Sequence, residues 1–241
     1  TACQALGFLE SARRFSAEKI FYFDPDMVIF SGLEGLAARL DQHSILLTPH
    51  VTEPEQSLEA IADNEISSLK HGVFNLGFLG VRVSAEGMRF LRWWAERLRH
   101  FCHDDIAGGL FTDQRWLDLV PAFFEDFAIL REPIYNVATW NLTHRAVVGS
   151  LEQGLTVNGK PLSFYHFSGF DGGAQEVMLK KYADTESVLF ELRRWYLAEG
   201  QRMGQDQLGK RHCRYDTFDN GEKITRAQRI LYRSRLDLQR A

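Results

Sequence analysis

Two aspartates separated by one proline interrupt an otherwise apolar stretch, FYFDPDMVIF, at residues 21–30. Buried carboxylates are costly unless they are paired or bind a cation. In an extended chain, residues i and i+2 point to the same face, so the side chains of Asp24 and Asp26 would project together from Cα atoms roughly 6.5 Å apart. That spacing suits a hard divalent ion bound by one carboxylate, with the second binding directly or through water. The alternative is a polar turn whose aspartates cap the next segment.

Two further motifs combine polar residues with predicted secondary structure. In NLGFLG, Asn75 is a polar residue inside an apolar strand, and Gly77 either lets another group approach the backbone or marks a bulge. In TDQRWLDL, Asp113 and Gln114 open a predicted helix for which Thr112 is the N-cap. An acid at a helix start is also favoured by the exposed N–H groups and the helix dipole alone.

The fourth motif is YHFSGF, in which His166 lies between aromatic residues and precedes a Ser168-Gly169 turn. A single histidine in an apolar strand is usually a core residue. An imidazole together with two carboxylates is nevertheless a ligand set that suits Mn²⁺ or a similar divalent ion.

The elements that must position these residues follow from periodicity and turn signals. Strands are predicted at 19–23, 44–50, 72–84, 127–130, 134–138 and 162–170. Helices are predicted at 1–15, 33–40, 54–69, 85–101, 112–119 and 175–200, with another beginning near Thr225. The apolar stripe of helix 85–101 is Leu91, Trp94, Leu98 and Phe101. Asn-Gly in VNGK (157–160) predicts a hairpin turn, and strands alternating with helices indicate an α/β fold.

The bulk composition is that of a globular protein of 241 residues, 45% hydrophobic and 25% charged. Three scattered cysteines favour a reducing compartment. The chain contains no apolar run of 18 residues, so we predict no membrane span. Net charge is −4, yet residues 201–241 hold 10 Lys/Arg against 5 Asp/Glu. This basic C-terminal segment could contact anionic lipid or phosphate groups, or it could form a solvated helix. We favour the solvated helix. The expected location is cytoplasmic, with peripheral membrane association as an option.

Taken together and in this order, the four motifs resemble the metal-dependent glycosyltransferases of the GT-A fold, and more closely the glycogenin and lipopolysaccharide galactosyltransferase group. That family has Asp-x-Asp at a strand end, an Asn-x-Gly strand, an Asp-Gln pair opening a helix, and a His-Phe-x-Gly turn. The matching residues are Asp24-Pro25-Asp26, Asn75-Leu76-Gly77, Asp113-Gln114 and His166-Phe167-Ser168-Gly169. The match covers residues 1–175.

The resemblance implies a GT-A-like mixed sheet flanked by helices at residues 1–200, followed by a basic extension at 201–241. The chain departs from the family pattern in two places. Only 23 residues precede Asp24, so we expect the family's N-terminal nucleotide-binding strand to lie outside this chain. The family's Lys-Pro-Trp is replaced by FDGGAQ, so phosphate contacts are expected from backbone N–H groups near Gly169, Gly172 and Gly173.

The resemblance further implies transfer of a sugar from a nucleotide-diphosphate donor, a UDP-sugar by preference, to a glycan, lipid-linked or protein acceptor, with retention of configuration. Mn²⁺ or Mg²⁺ would be held by Asp24, Asp26 and His166. No nucleic-acid partner is expected.

Sugar handling is implied for a second set of residues: Asn75, Gly77, Asp113, Gln114 and Trp140. Asn75 and Asp113 would bind donor hydroxyls, and Gln114 would lie near the anomeric carbon. Trp140 would stack on an acceptor sugar or belong to the core.

Two other functions remain open at this stage. A non-catalytic glycan- or nucleotide-binding module of the same fold would explain the missing lysine and upstream strand. A metal phosphohydrolase with Asp24 as nucleophile also uses Asp-x-Asp, but its additional acidic loops and lysine cannot be placed in this chain.

Overall fold

The computed structural model describes residues 1–213, 215–235 and 237–238. By its internal contacts the chain divides into two units, residues 1–193 and 194–241. Within the described residues, no helix is both long and apolar enough to cross a membrane.

Among the described residues, every strand belongs to the first unit. In chain order they are β1 (Lys19–Phe23), β2 (Met27–Ile29), β3 (Ile45–Pro49), β4 (Phe74–Arg82), β5 (His103–Asp105), β6 (Leu110–Thr112), β7 (Phe127–Ile129), β8 (Val147–Ser150), β9 (Gly154–Val157), β10 (Lys160–Pro161) and β11 (Phe164–His166).

The helices are spread over both units. They are α1 (Gln4–Phe15), α2 (Glu34–Gln42), α3 (Leu58–Ala60), α4 (Ser67–His71), α5 (Ala85–Phe101), α6 (Val120–Phe123), α7 (Ala174–Tyr182), α8 (Val188–Arg202), α9 (Gln205–Leu208) and α10 (Arg226–Ser234). A π-helical segment joins α3 to α4 at Ile61–Ile66, and 3-10 helices lie at Arg115–Leu119 and Thr139–His144.

A mixed four-stranded sheet in the order β1-β4-β3-β7 lies at the centre of the first unit. Strand β4 is antiparallel to both β1 and β3, and β7 is parallel to β3. The α/β class with a mixed sheet and helices is therefore confirmed. Smaller sheets pair β2 with β11, β5 with β6, and the central β9 with both β8 and β10.

Alternating side chains of β3 divide the core into two layers. Ile45 and Leu47 pack in a cluster with α1 and α5, whereas Leu46 packs in a second cluster with α2. Because successive strand residues point to opposite faces, one apolar run supplies both layers. Helices therefore cover both faces of the sheet.

Helix α5 has the predicted bounds, and its N-terminus is capped by Ser84, whose hydroxyl accepts a hydrogen bond from the Gly87 N–H. The stripe of Leu91, Trp94 and Leu98 is buried as predicted. Phe101 is 41% exposed, because it is the last residue of the helix and extends past the core.

Strand β4 continues through Asn75 and Gly77, but its pairing with β3 is irregular there. Leu47 lies opposite Leu79, whereas the next residue, Thr48, lies opposite Asn75. The intervening β4 residues leave the ladder with β3. The Gly77 carbonyl instead accepts a hydrogen bond from the Asp24 N–H at 2.8 Å.

The predicted helix 112–119 is wrong at its start. Thr112 ends strand β6 with a left-handed backbone (φ 47°), and the 3-10 helix begins only at Arg115. The 3-10 helix ends at Leu119 and α6 follows directly, with Pro121 in its first turn, where the missing N–H is tolerated.

The hairpin at 157–160 is confirmed, with Asn158 and Gly159 both at positive φ. Its second strand is the short β10, not the predicted strand 162–170. The later strand, β11, pairs with β2 more than a hundred residues earlier, a long-range partner that local pattern does not reveal.

Two other predicted elements differ, and a third is confirmed. Residues 134–138 contribute only an isolated bridge between Val137 and Tyr165. The predicted helix 175–200 is two helices, α7 and α8, separated at residues 183–187. The helix predicted near Thr225 is α10, and Thr225 caps it.

Replacing Trp94 with Ala should lower the free energy of unfolding by about 3–5 kcal/mol, because a fully buried ring is lost and a cavity remains. The ring stacks on Phe90 with centroids 5.7 Å apart, and its Nε1–H donates to the Asp113 carbonyl at 3.1 Å. Urea denaturation measures this loss. Arg92→Ala, on the exposed side of the same helix, should change stability by no more than about 0.5 kcal/mol. Equal losses in the two variants would contradict this packing.

Candidate functional site

The Asp24-Pro25-Asp26 segment is a turn between β1 and β2. The Met27 N–H donates to the Asp24 carbonyl at 3.0 Å, and the Phe167 N–H donates to the Asp26 carbonyl at 2.8 Å. The extended backbone expected across this segment is therefore wrong, since Pro25 ends the ladder of β1. The turn itself directs both carboxylates toward the same neighbour.

That neighbour is His166, the last residue of β11. Its Nε2 lies 3.1 Å from an Asp26 carboxylate oxygen and 3.9 Å from an Asp24 oxygen. Each of the three residues offers one ligand atom, and these atoms all lie within 4.8 Å of one another. The imidazole is 4% exposed, while the two carboxylates are partly open to solvent. The pairing of β11 with β2 therefore brings together three side chains that are distant in sequence.

Asn75 fixes which imidazole nitrogen carries a proton. Its Oδ1 accepts from the Gly77 N–H at 3.1 Å and lies 3.2 Å from Nδ1 of His166. The opposite amide nitrogen faces Oε1 of Gln114 at 3.3 Å, which supports this orientation of the Asn75 side chain. Because an amide oxygen only accepts, Nδ1 of His166 must be the donor.

The remaining nitrogen, Nε2, faces the carboxylates. An unprotonated Nε2 at 3.1 Å from the Asp26 carboxylate would bring two lone pairs together, so the position requires a cation. The cation is either a proton shared between Nε2 and the Asp26 carboxylate or a metal ion shared by His166, Asp24 and Asp26.

The electrostatics of the two carboxylates differ. Burial raises the pKa of Asp24 above its ordinary value, although hydrogen bonding to Tyr22 and the charge of His166 oppose this. Burial also acts to raise the pKa of Asp26, but the hydrogen bond and charge of His166 outweigh it and hold this pKa below its usual range. A cation beside Asp24 would therefore stabilise the charged form that burial opposes.

A cavity of about 360 Å³ opens beside the three residues. Residues from almost every element that ends at this edge of the sheet contribute to its wall. The lining residues are Thr1, Gln4, Asp24, Asp26, His50, Asn64, Ser67, Ser68, His71, Asn75, Leu76, Phe111, Thr112, Asp113, Gln114, Trp140, His166 and Ser168.

Gln114 lines the cavity and is also a structural residue. Its Oε1 accepts from the Leu76 N–H at 2.9 Å, and its Nε2 donates to the His71 carbonyl at 3.0 Å. It thereby connects β4 to the end of α4. A Gln114 substitution removes these contacts together with a cavity side chain, so it should lower stability as well as alter the cavity.

Asp113 is a buried carboxylate, 4% exposed, on the cavity wall. Burial raises its pKa, and a hydrogen bond from the Thr112 hydroxyl partly opposes the rise. Its backbone carbonyl is fixed by Trp94 Nε1. The core helix α5 therefore positions this acid directly.

Trp140 packs edge-on against two histidines, His166 at 5.3 Å and His50 at 5.4 Å between ring centroids. Its Nε1 is buried without a hydrogen-bond partner in the described part of the chain. Gly77 lies directly under the His166 ring. Gly169 has a left-handed backbone (φ 73°), and its neighbour Ser168 lines the cavity.

Two site residues were missed by the sequence reasoning. Burial lowers the pKa of His50 to about 4, so its ring is neutral at pH 7, with Nε2 3.2 Å from the Asn75 amide nitrogen. The Tyr22 hydroxyl donates to Asp24 at 2.5 Å. The available signals were the position of His50 just after a buried strand and that of Tyr22 two residues before Asp24.

Comparisons with known proteins place the chain near two relatives. YfnF of Bacillus subtilis (strain 168) is 26% identical over 155 residues, which are 64% of this chain and 50% of YfnF. YfnD of the same organism is 28% identical over 156 residues, 64% of this chain and 47% of YfnD. Both are described as uncharacterized proteins. The chain spans about half the length of these relatives, and no family model matches it.

Among solved structures, the chain is similar to a glycosyltransferase involved in the glycosylation of the major capsid of PBCV-1. Sequence identity is 11%, coverage is 74% of this chain and 75% of that protein, and the TM-score is 0.43.

A methyl group at Gly77 would lie 2.5 Å from Cε1 and 2.6 Å from Nδ1 of His166. Gly77→Ala should therefore displace the imidazole from Asp26 and lower the free energy of unfolding by about 1–3 kcal/mol, the usual cost of overpacking. A crystal structure of the variant measures the displacement, and denaturation measures the stability.

Gly7→Ala is the matched control, because no atom lies within 4 Å of a methyl group there. This helical substitution should raise stability by about 0.5–1 kcal/mol. An unchanged 3.1 Å separation between His166 and Asp26 in Gly77→Ala would contradict the packing account.

Proposed function

We propose that this chain carries the metal-binding and sugar-handling part of a glycosyltransferase that moves a sugar from a nucleotide-diphosphate donor to an acceptor hydroxyl. The observation that supports this most is the convergence of Asp24, Asp26 and His166 at the wall of one cavity. The order of the four motifs, which resembles that of GT-A glycosyltransferases, gives the reaction class.

The three side chains fit a divalent ion such as Mn²⁺. Two carboxylate oxygens and an imidazole nitrogen are a suitable mixed ligand set, and Nε2 of His166 is oriented toward both carboxylates by the contact of Nδ1 with Asn75. A bound ion would neutralise negative charge on the departing nucleoside diphosphate.

Asn75 is then a positioning residue for His166, and its amide is engaged by His166, Gly77 and Gln114. This differs from the direct sugar contact implied by the family resemblance. Asp113 is the better candidate for holding a donor hydroxyl, since it is a buried acid on the cavity wall.

Three buried polar atoms of cavity-lining residues have no partner in the described residues: Gln4 Nε2, Asn64 Oδ1 and Trp140 Nε1. Buried polar atoms normally form hydrogen bonds. Because these atoms are buried, a ligand rich in hydroxyl groups, such as a sugar, would supply their partners only if the cavity wall adjusts on binding. A cavity of about 360 Å³ is within the size range of small-molecule sites.

The remaining features of the reaction rest on the family resemblance. These are a UDP-sugar as donor and retention at the anomeric carbon. Backbone N–H groups near Gly169, Gly172 and Gly173 would contact the diphosphate in place of the family's lysine. Gln114 beside the anomeric carbon and Trp140 against the acceptor complete the proposed arrangement.

Asp26→Asn should weaken Mn²⁺ binding at least about tenfold, or about 1.4 kcal/mol, because the ion loses a charged ligand. Isothermal titration calorimetry of the chain with Mn²⁺ measures the affinity. Release of nucleoside diphosphate from a panel of nucleotide sugars, with and without Mn²⁺, measures turnover. Asp26→Asn should abolish any metal-dependent release.

Asp104→Asn is the matched control, since Asp104 is exposed on β5, and it should bind Mn²⁺ like the parent chain. Equal Mn²⁺ affinity in Asp26→Asn and the parent chain would contradict the proposal that Asp26 binds the metal ion. Metal and nucleotide-sugar binding without turnover of any donor would instead favour the non-catalytic binding module.

A further inference from the structure

Helix α10 of the second unit concentrates positive charge. Residues 225–235, TRAQRILYRSR, contain four arginines and no Asp or Glu. The same helix exposes large apolar side chains, with Ile230 at 54% and Leu231 at 55% exposure. The arginines alone would keep this helix solvated. The adjacent exposed Ile and Leu therefore indicate an additional apolar contact.

The two kinds of side chain are segregated around the helix. At about 100° of rotation per residue, the small and apolar residues fall within about 100° of arc. They are Ala227, Ile230, Leu231 and Ser234. The arginines within the helix fall within about 60° of arc beside that face. They are Arg226, Arg229 and Arg233.

Local contacts hold the helix in its unit while leaving the apolar face open. Thr225 caps the N-terminus in a reciprocal capping box with Gln228. Arg229 donates to the Tyr215 carbonyl at 3.0 Å and pairs with Asp216 at 3.2 Å. These contacts are made from the arginine side of the helix, so Ile230 and Leu231 keep their exposure.

We propose that α10 binds the surface of a membrane that contains anionic lipids, with Ile230 and Leu231 inserted among the acyl chains. A helix with an apolar face and a cationic side lies in the plane of the interface, where the apolar face is buried and arginines contact lipid phosphates. The arginines border the apolar face, so both sets of side chains reach the interface together.

A lipid surface fits these residues better than a nucleic acid. Phosphate contacts with a nucleic acid depend on charge, and an exposed Ile-Leu pair would add nothing to them. An anionic bilayer interacts with both sets of side chains. Nucleic-acid binding is therefore a separate outcome of the test.

Vesicle co-sedimentation of the full 241-residue chain tests the proposal directly. Vesicles of phosphatidylcholine with 30% phosphatidylglycerol, an anionic composition chosen to engage arginines, are compared with pure phosphatidylcholine vesicles. We expect binding to the anionic vesicles, weak binding to the neutral ones, and progressive loss as salt is raised.

Ile230→Asp and Leu231→Asp should each reduce vesicle binding at least about tenfold, because a carboxylate opposes both insertion and the anionic surface. Leu208→Asp is the matched control: Leu208 is a leucine of the same unit, 54% exposed, on α9. It introduces the same charge and should retain binding.

A fluorescent reporter gives a second measurement that does not depend on loss of binding. In Leu231→Trp, the tryptophan emission should shift to the blue on addition of anionic vesicles and be quenched by lipids brominated on their acyl chains. Equal binding to neutral vesicles, equal losses in all three aspartate variants, or no blue shift would overturn the proposal. Binding to RNA that survives Ile230→Asp, without vesicle binding, would overturn it in favour of a polyanion site.

Discussion

The orientation of one buried imidazole determines the geometry of the candidate site. His166 is held on three sides: by the pairing of β11 with β2, by the Asn75 amide at Nδ1, and by the absence of a side chain at Gly77. Its second nitrogen has one direction left to face, toward Asp24 and Asp26. Two of these three constraints, Asn75 and Gly77, belong to strand β4. They lie where β4 leaves the ladder with β3.

This arrangement places negative charge in poorly solvated surroundings. Burial raises the pKa of both Asp24 and Asp113, which means that the folded protein opposes their ionisation. The charge or the hydrogen bonds of His166 act against this only for the aspartates near it. A divalent cation between Asp24, Asp26 and His166 would relieve the burial of charge, so the electrostatics and the geometry favour the same ligand.

Local pattern in the sequence predicted the elements that local interactions determine. Helix α5 and the Asn158-Gly159 turn are examples, because periodicity, a capping serine and a turn dipeptide specify them. The proximity of Asp24 and Asp26 to His166 was also expected, but only through the family resemblance. Its physical cause, the β2–β11 pairing, is a long-range contact.

The hydrogen-bond partners inside the site could not be predicted in the same way. Sugar contacts for Gln114 and Asn75 were expected from the family resemblance, which says nothing about their partners within the chain. The structure shows that their amides also connect β4, α4 and His166. Such partners depend on the path of irregular backbone segments. The π-helical segment Ile61–Ile66 is an example, and no simple sequence pattern predicts it.

Anomalous X-ray diffraction from crystals grown with Mn²⁺ tests the central claim most directly. The account predicts one anomalous peak between Asp24, Asp26 and His166, with Nε2 of His166 about 2.0–2.3 Å from the ion. The imidazole should keep its contact with Asn75. A saturated crystal with no peak at this position, in which His166 still contacts Asp26 directly, would contradict it.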